Sequence, residues 1–180
     1  PLLPHQPPTC AWQKVGTDLL QYGGKLFLII ADCYSLWPEV YLLSRPDSNC
    51  VIEATKQLFA NHGIPETVIS DNGSQYSSRK YRQFAKQWEF SHITSSPRYL
   101  RSNGLAESME KSVKQLKKKC QRSKSDFYAG LLALRNAPIN CGSSPAQLLK
   151  GHTLPDILVF QRTQSADYQR NIIKEQQKIK

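Results

Sequence analysis

No run of side chains in this chain approaches the ~20 consecutive apolar residues of a membrane-crossing helix, so no membrane span is expected. The proline-rich N-terminus lacks the basic and apolar stretches of a secretory signal. It reads as an extended linker, cut from a longer polyprotein. The cysteines (Cys10, Cys33, Cys50, Cys120 and Cys141) are odd in number, scattered, and never in a Cys-x-x-Cys pair. That spacing argues against a disulfide framework and against a zinc site. They read instead as reduced, buried thiols of an intracellular protein. The histidines are equally dispersed, with His62 near an expected helix end and His92 in an expected strand. No internal repeat is evident.

Acid is also scarce: 14 Asp and Glu stand against 24 Lys and Arg in 180 residues, a net charge of +10. The excess is localised. Residues 98–124 hold nine basic and two acidic side chains, and residues 161–180 hold five and two. A charge run is often only a solvated helix face. Here the basic stretch begins beside acidic residues of interest, which favours a nucleic-acid partner. The length suits one domain with its own core and a tail, since a chain of this size buries roughly 70% of its unfolded surface.

Apolar periodicity orders the chain. Val15–Leu20, Leu26–Asp32 and Glu39–Leu43 read as three strands, the first two joined at Gly23-Gly24. A helix capped by Asp47 or Ser48 runs to about Asn61, ended by Gly63 and Pro65. A fourth strand covers Glu66–Ser70. A second helix, capped by Ser77 or Ser78, reaches Glu89, and Phe90–Thr94 is a fifth strand. Residues 95–104 read as a loop. A long helix then spans Gly104 to about Arg122, with Leu105, Met109, Val113, Leu116 and Cys120 as its core stripe. Helices over Asp126–Asn136 and Pro145–Lys150 follow. This is an α/β arrangement, a mixed five-stranded sheet with helices packed on both faces. The divisions are a linker over 1–12, a core over 13–160, and a basic tail or linker helix over 161–180.

Three acids stand out. Asp18 lies inside the first strand, Asp71 ends the fourth and precedes the turn pair Asn72-Gly73, and Glu107 falls in the first turn of the long helix. Carboxylates so placed can converge, and converging carboxylates repel unless a divalent cation neutralises them. Paired cations of this kind serve phosphodiester chemistry. Each acid alone has a plainer reading: a paired strand residue, an Asx turn, or a favourable charge at a helix start. Asp32 is a rival that also ends an apolar strand, but Cys33-Tyr34-Ser35 after it reads as a turn, which gives it a structural role. Glu39, Glu53, Glu66 and Glu110 lack a comparable context.

The segments around these acids resemble the catalytic core of retroviral-type (DDE) integrases, most closely those of gypsy-class LTR retrotransposons. The matching stretches are Trp12–Leu19, His62–Glu66, Val68–Tyr76, Ser95–Pro97, Ser102–Glu107 and Ser143–Leu149, in the family's order over roughly residues 1–150. The resemblance implies a ribonuclease-H-like fold, two Mg²⁺ or Mn²⁺ ions held by Asp18, Asp71 and Glu107, and double-stranded DNA as partner. It implies 3′-end processing followed by strand transfer into chromosomal DNA, in the nucleus after cytoplasmic synthesis, by a homo-oligomer with flanking domains. Lys111 and Lys114 occupy positions that touch the DNA end in that family. Asn72, Gln75, Asn103, Arg101 and Lys118 complete the expected DNA contacts. The chain departs from the pattern at Leu100-Arg101, where Pro-Gln is common, and at Ser74, where proline is common. Two alternatives stay open: a domesticated, non-catalytic DNA-binding protein, and a ribonuclease H, which would need a further carboxylate on a different helix.

Overall fold

The sheet begins with a hairpin that two glycines permit. Lys14–Tyr22 (β1) and Lys25–Asp32 (β2) pair antiparallel, with Tyr22 opposite Lys25. Gly23 and Gly24 take φ of 58° and 71°. Positive φ at both central residues lets a two-residue loop follow the strand twist. Pro38–Leu43 (β3) pairs antiparallel with β2. Thr67–Ser70 (β4) and Ser91–Thr94 (β5) add parallel pairings, giving the order β3-β2-β1-β4-β5. The computed structural model describes residues 7–95 and 100–156. The last residues of the expected core and the 161–180 tail lie outside them.

Ser48–His62 (α1) starts at an Asp47 N-cap, whose carboxylate accepts from Cys50 N. Ser74–Ser77 (α2) is a single turn that apolar periodicity does not reveal. Arg79–Gln87 (α3) is capped by Ser78. Leu100–Ser123 (α4), Phe127–Asn136 (α5) and Pro145–Lys150 (α6) complete the described chain. Ser144 and Gln147 form a capping box at α6.

The sheet separates two cores. On one face Val15, Leu28, Ile30 and Val68 pack with Val51 and Leu58 of α1 and Tyr81 and Phe84 of α3. On the other, Leu20, Phe27 and Ile29 pack with Val113 of α4. Because strand side chains alternate, Gly16, Asp18 and Leu20 share the α4 face of β1.

Four expectations need correction. Trp12, placed in the linker, belongs to the core: its N–H donates to Asp32 Oδ1 (2.9 Å) and its indole N–H to Gly63 O (2.8 Å). The thiols are free, but Cys10 and Cys141 are exposed and only Cys120 is buried. α4 starts at Leu100 rather than Gly104, so Glu107 stands two turns inside the helix and no acid occupies its first turn. Of the expected α4 stripe, Val113 and Cys120 are buried and Leu105, Met109 and Leu116 half-buried; the unexpected buried residue among those described is Ala106.

Candidate active site

The approach of α4 to the sheet fixes the site. A Cβ built on Gly16 would lie 3.0 Å from Ala106 Cβ, so strand and helix touch where β1 has no side chain. Four residues further along β1 and two turns further along α4, Leu20 and Val113 share a buried cluster. Asp18, midway between Gly16 and Leu20, therefore faces the helix midway between Ala106 and Val113. The helix positions there are Met109 and Glu110, with Glu107 one turn toward the N-terminus.

Asp18 is half-buried, and its Oδ1 accepts from Leu19 N at 2.8 Å. Burial pushes its carboxyl up to about 6. The Leu19 N–H opposes that rise, and the negative charges of Asp71, Glu110 and Glu107, in that order, add to it. Asp71 follows β4 and is exposed; its Oδ1 accepts from Gly73 N at 3.0 Å, the Asx turn that its neighbours suggest. A side chain on Gly73 would press on that carboxylate, its Cβ 3.0 Å from Oδ1. Glu107 is exposed on α4. The three expected acids are thus gathered about one corner of the sheet, and a fourth, Glu110, joins them. Sequence reasoning passed over Glu110; its position three residues after Glu107, on the adjoining flank of the helix, was the available signal.

The donors are all carboxylate oxygens, the hard ligands that suit Mg²⁺ or Mn²⁺. A dication would also relieve the mutual repulsion that helps hold Asp18 near 6. Among the described residues no three His, Cys, Asp or Glu form a ready-made cage. The chemistry of the donors fits the ions, and side-chain movement would have to bring them to ligating distance.

Asp32 has the role its sequence context indicates. It is fully buried; Oδ1 accepts from Trp12 N, and Oδ2 from Ser35 N (3.0 Å) and Ser35 Oγ (2.6 Å). The carboxylate organises a turn and has no opening to the acidic corner.

The expected DNA contacts divide. Lys111 and Lys118 are exposed on the Glu107 side of α4, and Arg122 extends their line. Lys114 reaches toward Glu110 at 4.0 Å, the outer limit of an ion pair. Asn72 is exposed beside Asp71 and lines a cavity of about 410 Å³ with Arg82, His92 and Thr94. Gln75 is engaged locally, donating to Pro46 O at 3.3 Å and accepting from Ser74 Oγ. The backbone of Arg101 and Asn103 lies in the first turn of α4, and their side chains lie outside the described ones. Lys117, in the same basic run, sits 3.9 Å over Phe27 and 3.7 Å over Phe127. It is a packing residue held by two ring faces.

Residues 8–99 match the family model described as integrase core domain. An uncharacterized Caenorhabditis elegans protein is 30% identical over 154 residues, 82% of this chain and 12% of that protein. The Gag-Pol polyprotein of feline leukemia virus is 29% identical over 161 residues, 82% of this chain and 9% of the polyprotein. The chain thus spans only a small part of these relatives. Among solved structures, the HTLV-2 integrase catalytic core domain in complex with magnesium superposes with a TM-score of 0.65 at 19% identity, over 78% of this chain and 98% of that one. A simian T-cell lymphotropic virus intasome chain gives 0.71 at 20% identity, over 84% and 59%. These structural likenesses carry the fold, ribonuclease-H-like with its mixed five-stranded sheet. The matched sequence runs through all five strands and both aspartates and stops before α4, and on that match this chain belongs to the integrase core domain family.

Proposed function

We propose that this chain is the catalytic core of a DNA integrase, which trims a DNA 3′ end and then joins it to a target strand. The observation that carries the reading is Asp18, a half-buried strand carboxyl lifted to about 6 beside three further acids at one corner of the sheet. Asp18 and Asp71 would hold divalent cations from the strands, and Glu107 from α4. The bound ions would supply Lewis-acid polarisation of the scissile phosphate and a lowered pKa for the attacking hydroxyl. The residues do the rest. Burial around Asp18 limits water on the sheet side. Lys111 and Lys118, with Arg122, would hold the DNA backbone by phosphate contacts, which position without reading sequence. Asn72 would meet the strand beside Asp71, and Arg101, Asn103 and Gln75 stay candidate contacts.

The similar solved structures include an intasome and dimeric and trimeric integrase cores. By analogy the functional unit here is a homo-oligomer on double-stranded DNA, acting in the nucleus on chromosomal DNA. Gypsy-class affinity is compatible with the relatives found. The test is resolution of a labelled, prejoined branched DNA with Mn²⁺ or Mg²⁺. A branched substrate already brings the reacting groups together, so flanking domains are not demanded of the chain. Wild type should resolve it, and Asp18→Asn, Asp71→Asn and Glu107→Gln should not. Folded protein that binds DNA yet resolves nothing under either metal would replace this reading with the domesticated, non-catalytic one.

A further inference from the structure

In the proposed metal centre Glu107 is the one acid contributed by α4. The packing of α4 on β1 presents two. Gly16 against Ala106, and Leu20 with Val113, set the register between strand and helix. Midway along that register Asp18 faces the turn that carries Glu110. At 100° per residue Glu110 lies about 60° from Val113, at the edge of the buried face, and Glu107 lies about 120° from it. Burial agrees: the Glu110 side chain is 17% exposed, whereas Glu107 is open to solvent. Glu110 also acts on Asp18 more strongly than Glu107 does. Its nearest cation, Lys114 Nζ, stands 4.0 Å away on a side chain that is 44% exposed. Such a contact neutralises little.

We propose that Glu110 is a fourth carboxylate of the metal centre, facing Asp18 from α4 and holding divalent cation together with it. The inference rests on the metal-dependent reading above. Its consequence is electrostatic. Three carboxylates against two dications leave one net positive charge, and four leave none. The centre then gains affinity for the cations, and Lys114 is released from Glu110 to the DNA backbone when they bind. Cation binding and DNA binding become coupled through one lysine.

The experiment is a Mn²⁺ titration of the DNA-free chain, followed by the loss of the free-ion paramagnetic signal, in wild type, Asp18→Asn, Glu110→Gln, Glu110→Asp and Lys114→Met. Glu110→Gln should weaken Mn²⁺ binding about tenfold or more, the range seen when groups supporting a metal site are removed. Glu110→Asp, which keeps the charge, should retain most of the affinity. Lys114→Met should tighten binding, since it removes a competing cation, and this arm decides the matter if Glu110→Gln does not fold. The metal-free melting temperature of Glu110→Gln should rise, because one of four crowded acids is gone. A purely structural Glu110 would instead leave Mn²⁺ affinity unchanged and lower that melting temperature, which overturns the proposal. If Asp18→Asn abolishes binding while Glu110→Gln does not alter it, Glu110 alone is misassigned. If wild type binds no more Mn²⁺ than Asp18→Asn, the metal-centre reading fails and the role of Glu110 falls with it.

Discussion

Two glutamate and aspartate environments on this sheet move acidity in opposite directions. Glu39 on β3 is largely withdrawn from water and Asp18 on β1 is half-buried, and burial alone raises both carboxyls. At Glu39 the rise is overcome. His62 Nε2 lies 2.7 Å from Oε1, Arg135 donates to Oε2 at 3.0 Å, and the Trp37 indole N–H donates to Oε1 at 2.8 Å, so the carboxyl ends below its usual value. At Asp18 burial is opposed by one backbone N–H and reinforced by three negative neighbours, and the carboxyl ends at about 6. One acid is surrounded by donors and joins β3 to α1 and α5. The other has its own kind as neighbours, an arrangement that costs stability and that a bound cation would relieve. Burial does not separate a structural acid from a functional one; the sign of its surroundings does.

The largest break in this comparison is Asp71→Asn. It should reduce metal-dependent DNA cleavage and joining to background while the metal-free melting temperature holds or rises, because it removes charge from the crowded corner. Wild-type turnover by the purified variant would show the aspartate to be only an Asx turn. On the other side, Arg135→Met should cost about 3 kcal/mol in urea unfolding, since it leaves Glu39 inside without its main cation. The same variant should leave Mn²⁺ affinity at the acidic corner untouched.

A pH series sharpens the contrast. Because the folded-state pKa of Asp18 lies above its value in the unfolded chain, its contribution favours folding below about pH 4 and is lost as pH rises through about 6. For Glu39 the shift is downward, so its contribution is present above its unfolded pKa and lost as pH falls through the folded one. Asp18→Asn should therefore flatten the decline of metal-free stability between pH 4 and 7, and millimolar Mg²⁺ should offset that decline in wild type. A decline of wild-type size in Asp18→Asn would assign the effect elsewhere.

The smallest expected effect separates neighbours on α4. Lys118→Gln should shallow the salt dependence of DNA binding by about 0.9 in the log–log slope, one phosphate contact. Lys117→Gln should leave the slope alone and lower stability by roughly 1 kcal/mol, the scale of a ring-face contact. Equal slopes for both variants would return Lys118 to a merely solvated face.

Much of this was legible because period and capping are local. Alternation marked the strands, and Asp47 and Ser78, both among the expected caps, each cap the helix they precede. Two features were not local. Residues 100–103 carry no apolar stripe and fall in the expected loop over 95–104, yet the helix runs straight through them. Propensity gives way there to the context of the whole domain. The position of Glu110 depends on which side of α4 is buried. The expected stripe is centred on Leu105 and Met109, and Met109 does pack against the sheet cluster, but α4 also sets Ala106 directly on Gly16, where only a small partner fits. That choice rotates Glu110 toward Asp18, and no count of residues along the helix contains it.

The contact between Gly16 and Ala106 acts as a gauge block between two jaws. With no side chain on the strand and a single methyl on the helix, little can compress, and a Cβ added to Gly16 would meet that methyl at 3.0 Å. The jaw opening that it sets is the span across which the acids of α4 must reach the aspartate of β1. A carbon atom inserted at the block would widen that opening by a few tenths of an ångström without altering any carboxylate. If the acids hold cations as proposed, their reach for a small or a larger ion would be calibrated at a position that bears no charge.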